Sequence, residues 1–184
     1  MHRGSFRSLY LAAALAVLPS TVLHAAIDDS EVPVWKGRED AAPEWREAPA
    51  PEVRYPRDRD LVPVRGVTGL DVEVFVDGRQ LFRGTDGVVR YLLLFRSPSG
   101  AESVFYEGMR CGARQWRRYA YGSQGRMRAA LSDWQPLGQG RQAGLHRLLY
   151  EAVFCPAGVL PPDAGEMRRR LRSLAATVND LTDE

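Results

Sequence analysis

Apolar and polar positions change rhythm twice along this chain, and the changes mark its elements. In Asp71-Val72-Glu73-Val74-Phe75-Val76 the valines alternate with acids, the signature of a half-buried strand. Asp77-Gly78 supplies a turn, and Asp86-Gly87 repeats it nine residues later. Val88–Arg96 is too apolar for a one-sided surface strand and is expected to be the central strand, covered on both faces. Ser97-Pro98-Ser99-Gly100 turns the chain into a strand over Ser103–Glu107. A fourth strand is predicted over Gln115–Tyr121, where Trp116, Arg118 and Ala120 alternate with Arg117, Tyr119 and Tyr121, and Ser123-Gln124-Gly125 ends it. Short strands joined by tight turns make an antiparallel sheet.

The period then lengthens. Leu145, Leu148, Leu149, Ala152 and Val153 follow the i, i+3, i+4, i+7, i+8 template of an amphipathic helix, with Cys155 on the same face and His146 off it, at the boundary. A last helix opens with Asp163 and Glu166 in capping-box spacing and aligns Met167, Leu171, Leu174, Val178 and Leu181. Strands followed by helices predict an α+β fold: a small antiparallel sheet of about four to six strands packed with two C-terminal helices.

Residues 1–25 have a different layout. His2, Arg3 and Arg7 precede an apolar run from Leu9 to Leu18, Pro19 breaks it, and the small residues Ala25 and Ala26 follow. This is the pattern of a cleaved secretory signal. The run is half the roughly 20 residues a spanning helix needs, and no cysteine lies near the cleavage point to carry a lipid. No later segment reads as transmembrane. The expected location is the periplasm.

Residues 26–66 form a proline-rich, charged arm, followed by the main domain over 67–160 and the terminal helix over 161–184. Within the arm, residues 26–60 hold ten acids and six bases, with Trp35 and Trp45 as the large anchors. Such a segment cannot bury enough surface to offset its own ordering entropy. It reads as a leader running extended over the domain, pinned by those tryptophans. Residues 61–160 carry eight acids and thirteen bases, so the acidic arm could also cover a basic face. After signal removal the charges balance, which disfavours nucleic acid as a partner.

Export changes how Cys111 and Cys155 are read, because two otherwise unpaired cysteines in an oxidising compartment bridge each other. The competing reading is a thiol nucleophile with His146 as its base. A carboxylate pair drawn from the sheet region would be another route to a small hydrolase. No phosphate loop, paired-histidine helix, Cys-x-x-Cys or nucleophile elbow is present, so neither a metal nor a cofactor is expected. The more informative stretch runs from Gly108 to Ser132: Arg110, Arg114, Arg117, Arg118, Arg126 and Arg128 stand there without an acid, interleaved with Trp116, Tyr119 and Tyr121. Arginine forks beside aromatic rings can bind phosphate, polyanionic glycan or bases by bidentate bonds and stacking. A solvated arginine face is the simpler account.

Three central segments, Asp86-Gly87-Val88-Val89-Arg90-Tyr91, Ser97-Pro98-Ser99-Gly100-Ala101-Glu102 and Tyr106-Glu107-Gly108-Met109-Arg110-Cys111, resemble the CNP1-like family of exported proteobacterial proteins. Tyr119-Ala120-Tyr121-Gly122, His146-Arg147, Leu149-Tyr150 and Phe154-Cys155-Pro156 fit it in the same order. The resemblance spans roughly residues 70–160. It implies an envelope protein and supports the disulfide, and it brings no catalytic residues with it. The sequence therefore points to a non-enzymatic binding domain. Its expected contact surface is the basic aromatic strand and its expected partner an anionic envelope component or envelope protein. The apolar side of the last helix could alternatively dock on another protein.

Overall fold

In the computed structural model, residues 44–67 and 69–180 are described, with backbone alone for 177–180. The signal expected over residues 1–25, Trp35 and the side chains of Val178 and Leu181 lie outside the described residues.

The strands are β1 (Leu61–Val64), β2 (Glu73–Asp77), β3 (Phe82–Arg83), β4 (Val88–Arg96), β5 (Glu102–Arg110), β6 (Gln115–Ser123), β7 (Arg126–Ala129) and β8 (Gln135–Pro136). They form one antiparallel sheet in the order β1-β2-β4-β5-β6-β7, with β3 beside β4 and β8 beside β6. The α+β class holds, but four to six strands was too few: among the described residues the sheet has eight. The extra ones are those whose pattern is weakest. β1 contains Pro63 and lies at an edge, where proline is tolerated because no ladder donor is needed. β3 and β8 are two residues each, too short for any period to show. β7 reads Arg-Met-Arg-Ala, with little to bury.

β4 is the centre of the sheet, and its residues Val88–Phe95 are all buried. Val89, Tyr91, Leu93 and Phe95 face helix α1 (Ala143–Leu149), the π-helical turn Tyr150–Phe154 and helix α2 (Ala164–Asp180). Leu145, Leu149, Val153 and Phe154 fill that side together with Met167 and Leu171 of α2. The apolar side of α2 is thus core where its side chains are described. Asp163 caps α2 by accepting the Glu166 N–H at 2.8 Å, and this bond holds its carboxyl below the usual range.

The other face carries Leu92, Leu94, Val104, Tyr106 and Ala120. Val53 and Tyr55 of the arm pack on it, so an extended segment does for this face what helices do for the first. Along β6 the expected alternation breaks. A bulge pairs Glu107 with Arg118 but Tyr106 with Ala120, leaving Tyr119 extra. Ala120 consequently joins the arm-covered face. The β6–β7 hairpin turns through Gln124 and Gly125 at φ 50° and 74°, the two left-handed positions of a type I′ turn.

The helix predicted across residues 145–153 is interrupted after Leu149. The Cys155 N–H bonds to the Tyr150 carbonyl at 2.8 Å, an i to i+5 closure. It brings Cys155 opposite Cys111, and the two are bonded, with Cα atoms 5.4 Å apart. The Tyr150 hydroxyl lies 3.1 and 3.0 Å from the Cys111 and Gly158 carbonyls, which share its single proton, and so ties both sides of the bridge together.

Candidate functional site

The sheet distributes the arginine-rich stretch over three environments. On the arm-covered face, Arg117 Nη1 donates to Glu47 at 2.6 Å, and its Nε and Nη2 reach the Ser132 carbonyl at 3.0 and 2.5 Å. The Tyr119 hydroxyl donates to the other Glu47 oxygen at 2.5 Å. Arg110 lies 3.5 Å from the centre of the Trp45 ring, and Trp45 meets Trp134 edge to face at 6.0 Å. Beneath them Arg90, 1% exposed, forms a two-pronged pair with the carboxylate of Asp86 at 3.1 and 2.6 Å.

That pair also grips the arm. Arg90 Nη2 donates to the Ala48 carbonyl at 2.7 Å, and the Ala48 N–H donates to Asp86 at 2.8 Å. The Trp45 indole N–H donates to the Asp86 main-chain carbonyl at 3.0 Å. Burial pushes the Asp86 carboxyl upward, but the Arg90 hydrogen bonds and the amides of Val88 and Ala48 outweigh it, and the group lies below the usual carboxylate range. Burial raises Tyr106 to about 12 and raises Tyr119 as well, with its bond to Glu47 adding to the effect.

On the helix-covered face, Arg118 donates to Glu107 at 3.0 Å and lies over the Phe105 ring at 4.1 Å. The second Glu107 oxygen is 2.8 Å from His146 Nε2, and the Trp116 and His146 rings pack with centroids 4.2 Å apart, inclined by 38°. Both Glu107 and His146 are fully buried. His146 is therefore not a boundary residue: the buried face of α1 is wider than its aliphatic stripe, and the residue beside that stripe meets β6. Tyr91, buried against the Glu107 carboxylate, is held well above its ordinary pKa by burial first and by the Glu107 charge second. Both sulfurs are in the disulfide, so no thiol stands ready for His146 among the described residues.

The third environment is open. Tyr121 is 41% exposed. With Ser123, Gln124, Arg126 and Arg128 it lines a recess of about 400 Å³ on the β6–β7 hairpin. Arg114 stands apart from both groups, its guanidinium 4.8 Å from the Tyr150 ring. The nine predicted contact residues thus do not make one surface. Arg110, Arg117 and Tyr119 join the arm; Trp116 and Arg118 join His146; Tyr121, Arg126 and Arg128 remain outward.

The pattern along the chain did not indicate a concavity of about 580 Å³ between the arm and the β2–β3 turn. Its arginines, Arg54, Arg57, Arg59 and Arg79, come from two distant segments. Its walls are joined by Gln80, whose amide exchanges bonds with the Arg54 N–H and carbonyl at 2.7 and 2.9 Å. Buried Asp77 accepts from Gln80 and from the Arg79 N–H, which shapes the turn. Of the other residues missed, Arg90 did leave a signal: a cation inside an apolar run requires a buried partner.

These features define an α+β domain on a single antiparallel sheet, closed by a disulfide and overlaid by its own N-terminal segment. Among the described residues no His, Cys, Asp or Glu cluster could hold a metal ion, and no helix is long and apolar enough to cross a membrane. The chain belongs to the CNP1-like family, whose model matches residues 40–172. That match extends past residues 70–160, where the resemblance is legible, and takes in the docked arm and part of α2. Among curated proteins, the chain is similar to "Cryptic neisserial protein 1" of Neisseria gonorrhoeae (strain ATCC 700825 / FA 1090). The two are 29% identical over 122 residues, which cover 58% of this chain and 59% of the relative. No solved structure matches.

Proposed function

We propose that this is an exported, periplasmic binding domain without enzymatic activity, and that its contact surface is the β6–β7 hairpin, with an anionic envelope component as partner. The observation that carries this reading is the difference among the arginines of one stretch. Arg110, Arg117 and Arg118 are engaged inside the fold, whereas Arg126 and Arg128 flank exposed Tyr121 and form no ion pair among the described residues. Unpaired guanidinium groups beside an aromatic ring offer bidentate bonds to carboxylate or phosphate. Export rests on the basic, apolar and small-residue order of residues 1–26, and a disulfide suits that compartment.

The test is binding of the mature protein to anionic phospholipid vesicles and to soluble acidic polysaccharide at low and high salt. Binding should weaken with salt and disappear in the R126E/R128E double variant, whose melting temperature should stay that of the parent. Salt-independent binding, or binding indifferent to this charge reversal, overturns the proposal. Reversal at Arg117 should lower stability, because Glu47 then loses its cation.

A further inference from the structure

Deepening the hairpin reading, and resting on it, we infer that the cleft between the arm and the β2–β3 turn is a second binding site, and that the two sites form one track for an acidic polysaccharide. A third hollow of about 320 Å³ lies between them, bounded by Tyr55, Glu102, Ser123 and Gln124 among others. Tyr55 also lines the arm cleft, and Ser123 and Gln124 also line the hairpin recess. The register turns Tyr121, Ser123, Arg126 and Arg128 to the helix side of the sheet and Tyr55 to the arm side, so the hollows follow one another around the tip of the β6–β7 hairpin, at Ser123 and Gln124. Arg54, Arg57 and Arg79 stand at one end and Arg126 and Arg128 at the other, and none of the five forms an ion pair among the described residues.

The lining identifies the ligand class. Across the three hollows the apolar side chains are the Tyr55 and Tyr121 rings and the methyl of Ala101. A peptide groove needs pockets for alternate apolar side chains, and these walls offer none. Backbone pairing is discouraged too, since the adjacent edge strand β7 is four residues long and carries Arg126 and Arg128. The remaining groups are guanidiniums, amides and hydroxyls, with the carboxylates of Glu52, Asp60 and Asp77 in the arm cleft and of Glu102 in the middle hollow. Guanidinium forks take the ligand's carboxylates, whereas amides and carboxylates accept from its hydroxyls. A chain of sugar acids presents both groups on every unit; polyphosphate presents charge alone.

The site is held in shape without a ligand. The Gln80–Arg54 amide pair fixes one wall to the other, and the Tyr55 hydroxyl donates to Glu102 at 3.0 Å. Glu102 in turn accepts from Arg96 at 2.8 Å. Pre-formed walls reduce the ordering cost of binding.

The experiment uses the full mature chain and fluorescently labelled oligogalacturonates of increasing length, with poly-glutamate and polyphosphate as comparison probes. Affinity should rise with length as the ligand comes to span both ends, because the second contact becomes intramolecular. R57E/R79E and R126E/R128E should each weaken the longest oligomer by about tenfold or more, from the loss of two charge-assisted contacts, and each should abolish the gain with length. All four side chains are exposed, so thermal melting should leave both variants at the parent value. If R57E/R79E binds the long oligomer as the parent does while R126E/R128E does not, the track is refuted and the hairpin site stands. The opposite result refutes the hairpin. Length-independent binding overturns the track, and poly-glutamate or polyphosphate binding as tightly as oligogalacturonate overturns the ligand class.

Discussion

The buried Arg90–Asp86 pair offers a quantitative test, because it holds both β4 and the arm. In R90M the volume is nearly kept, but Asp86 loses both guanidinium bonds and the Ala48 carbonyl loses its donor. The two side chains are 1% and 0% exposed, so water cannot replace what is lost. Stranding one member of such a pair costs about 3–5 kcal/mol. The Val88 and Ala48 amides still bond Asp86 and place the expectation toward the lower end. The assay is urea denaturation of the protein at neutral pH, repeated toward acid. Asp86 has a depressed pKa in the folded parent, so its contribution is present above the unfolded carboxyl value and is lost as pH falls through the folded one. R90M removes the main cause of that depression, and the gap between parent and variant should therefore narrow as pH drops below about 4. A second readout is trypsin cleavage in the arm at Arg46 and Arg54, which should quicken once Ala48 is released. A loss under about 1 kcal/mol, well below what breaking a buried pair costs, or a gap unchanged by acid, would refute this account of Arg90.

Three other substitutions probe separate parts of the fold. Removing the bridge with C111S/C155S should cost about 4 kcal/mol in the chain-entropy model, seen as a lower urea midpoint that reduction of the parent reproduces. In G108A the new Cβ would lie 2.6 and 2.7 Å from Tyr119 Oη and Cε2; the ring must move off Glu47, so a loss of about 1–3 kcal/mol with faster arm proteolysis is expected, and unchanged proteolysis counts against the ring as anchor. H146A removes the partner 2.8 Å from buried Glu107 and the ring packed on Trp116, and should cost about 2–4 kcal/mol with a shift in tryptophan emission; a variant of parental stability would show that this pair is not structural.

How far the sequence could be read depended on the kind of contact. β4 announced itself because eight consecutive buried positions leave no polar phase. The Asp163 cap and the Met167–Leu171 spacing were equally direct, since a local bond and a helical period lie within a few residues. The dispersal of the arginine stretch was not legible because the carboxylates that engage Arg117 and Arg118, Glu47 and Glu107, lie on other elements, and the bulge at Tyr119 moves Ala120 to the face it was not expected on. His146 was misplaced because aliphatic periodicity locates only the centre of a buried stripe, and its partner Glu107 is 39 positions away. The arm cleft was invisible for a related reason: its walls come from Arg54 and Arg79, joined by one glutamine side chain.

The placement of the arm also bears on the order in which the chain folds. Glu47 emerges before Tyr119, its partner 72 positions later, and contacts that close long loops form late. Until β6 exists, residues 45–48 have Asp86 and Arg90 to bind but lack half of their seat. Leu92, Leu94 and Tyr106 stay uncovered until Val53 and Tyr55 dock on them. A nascent chain with an open apolar sheet face is prone to stick to its neighbours. The acidic arm tethered at the edge of that face keeps a charged, soluble segment beside it from the start, so the last piece to dock is also the first to shield.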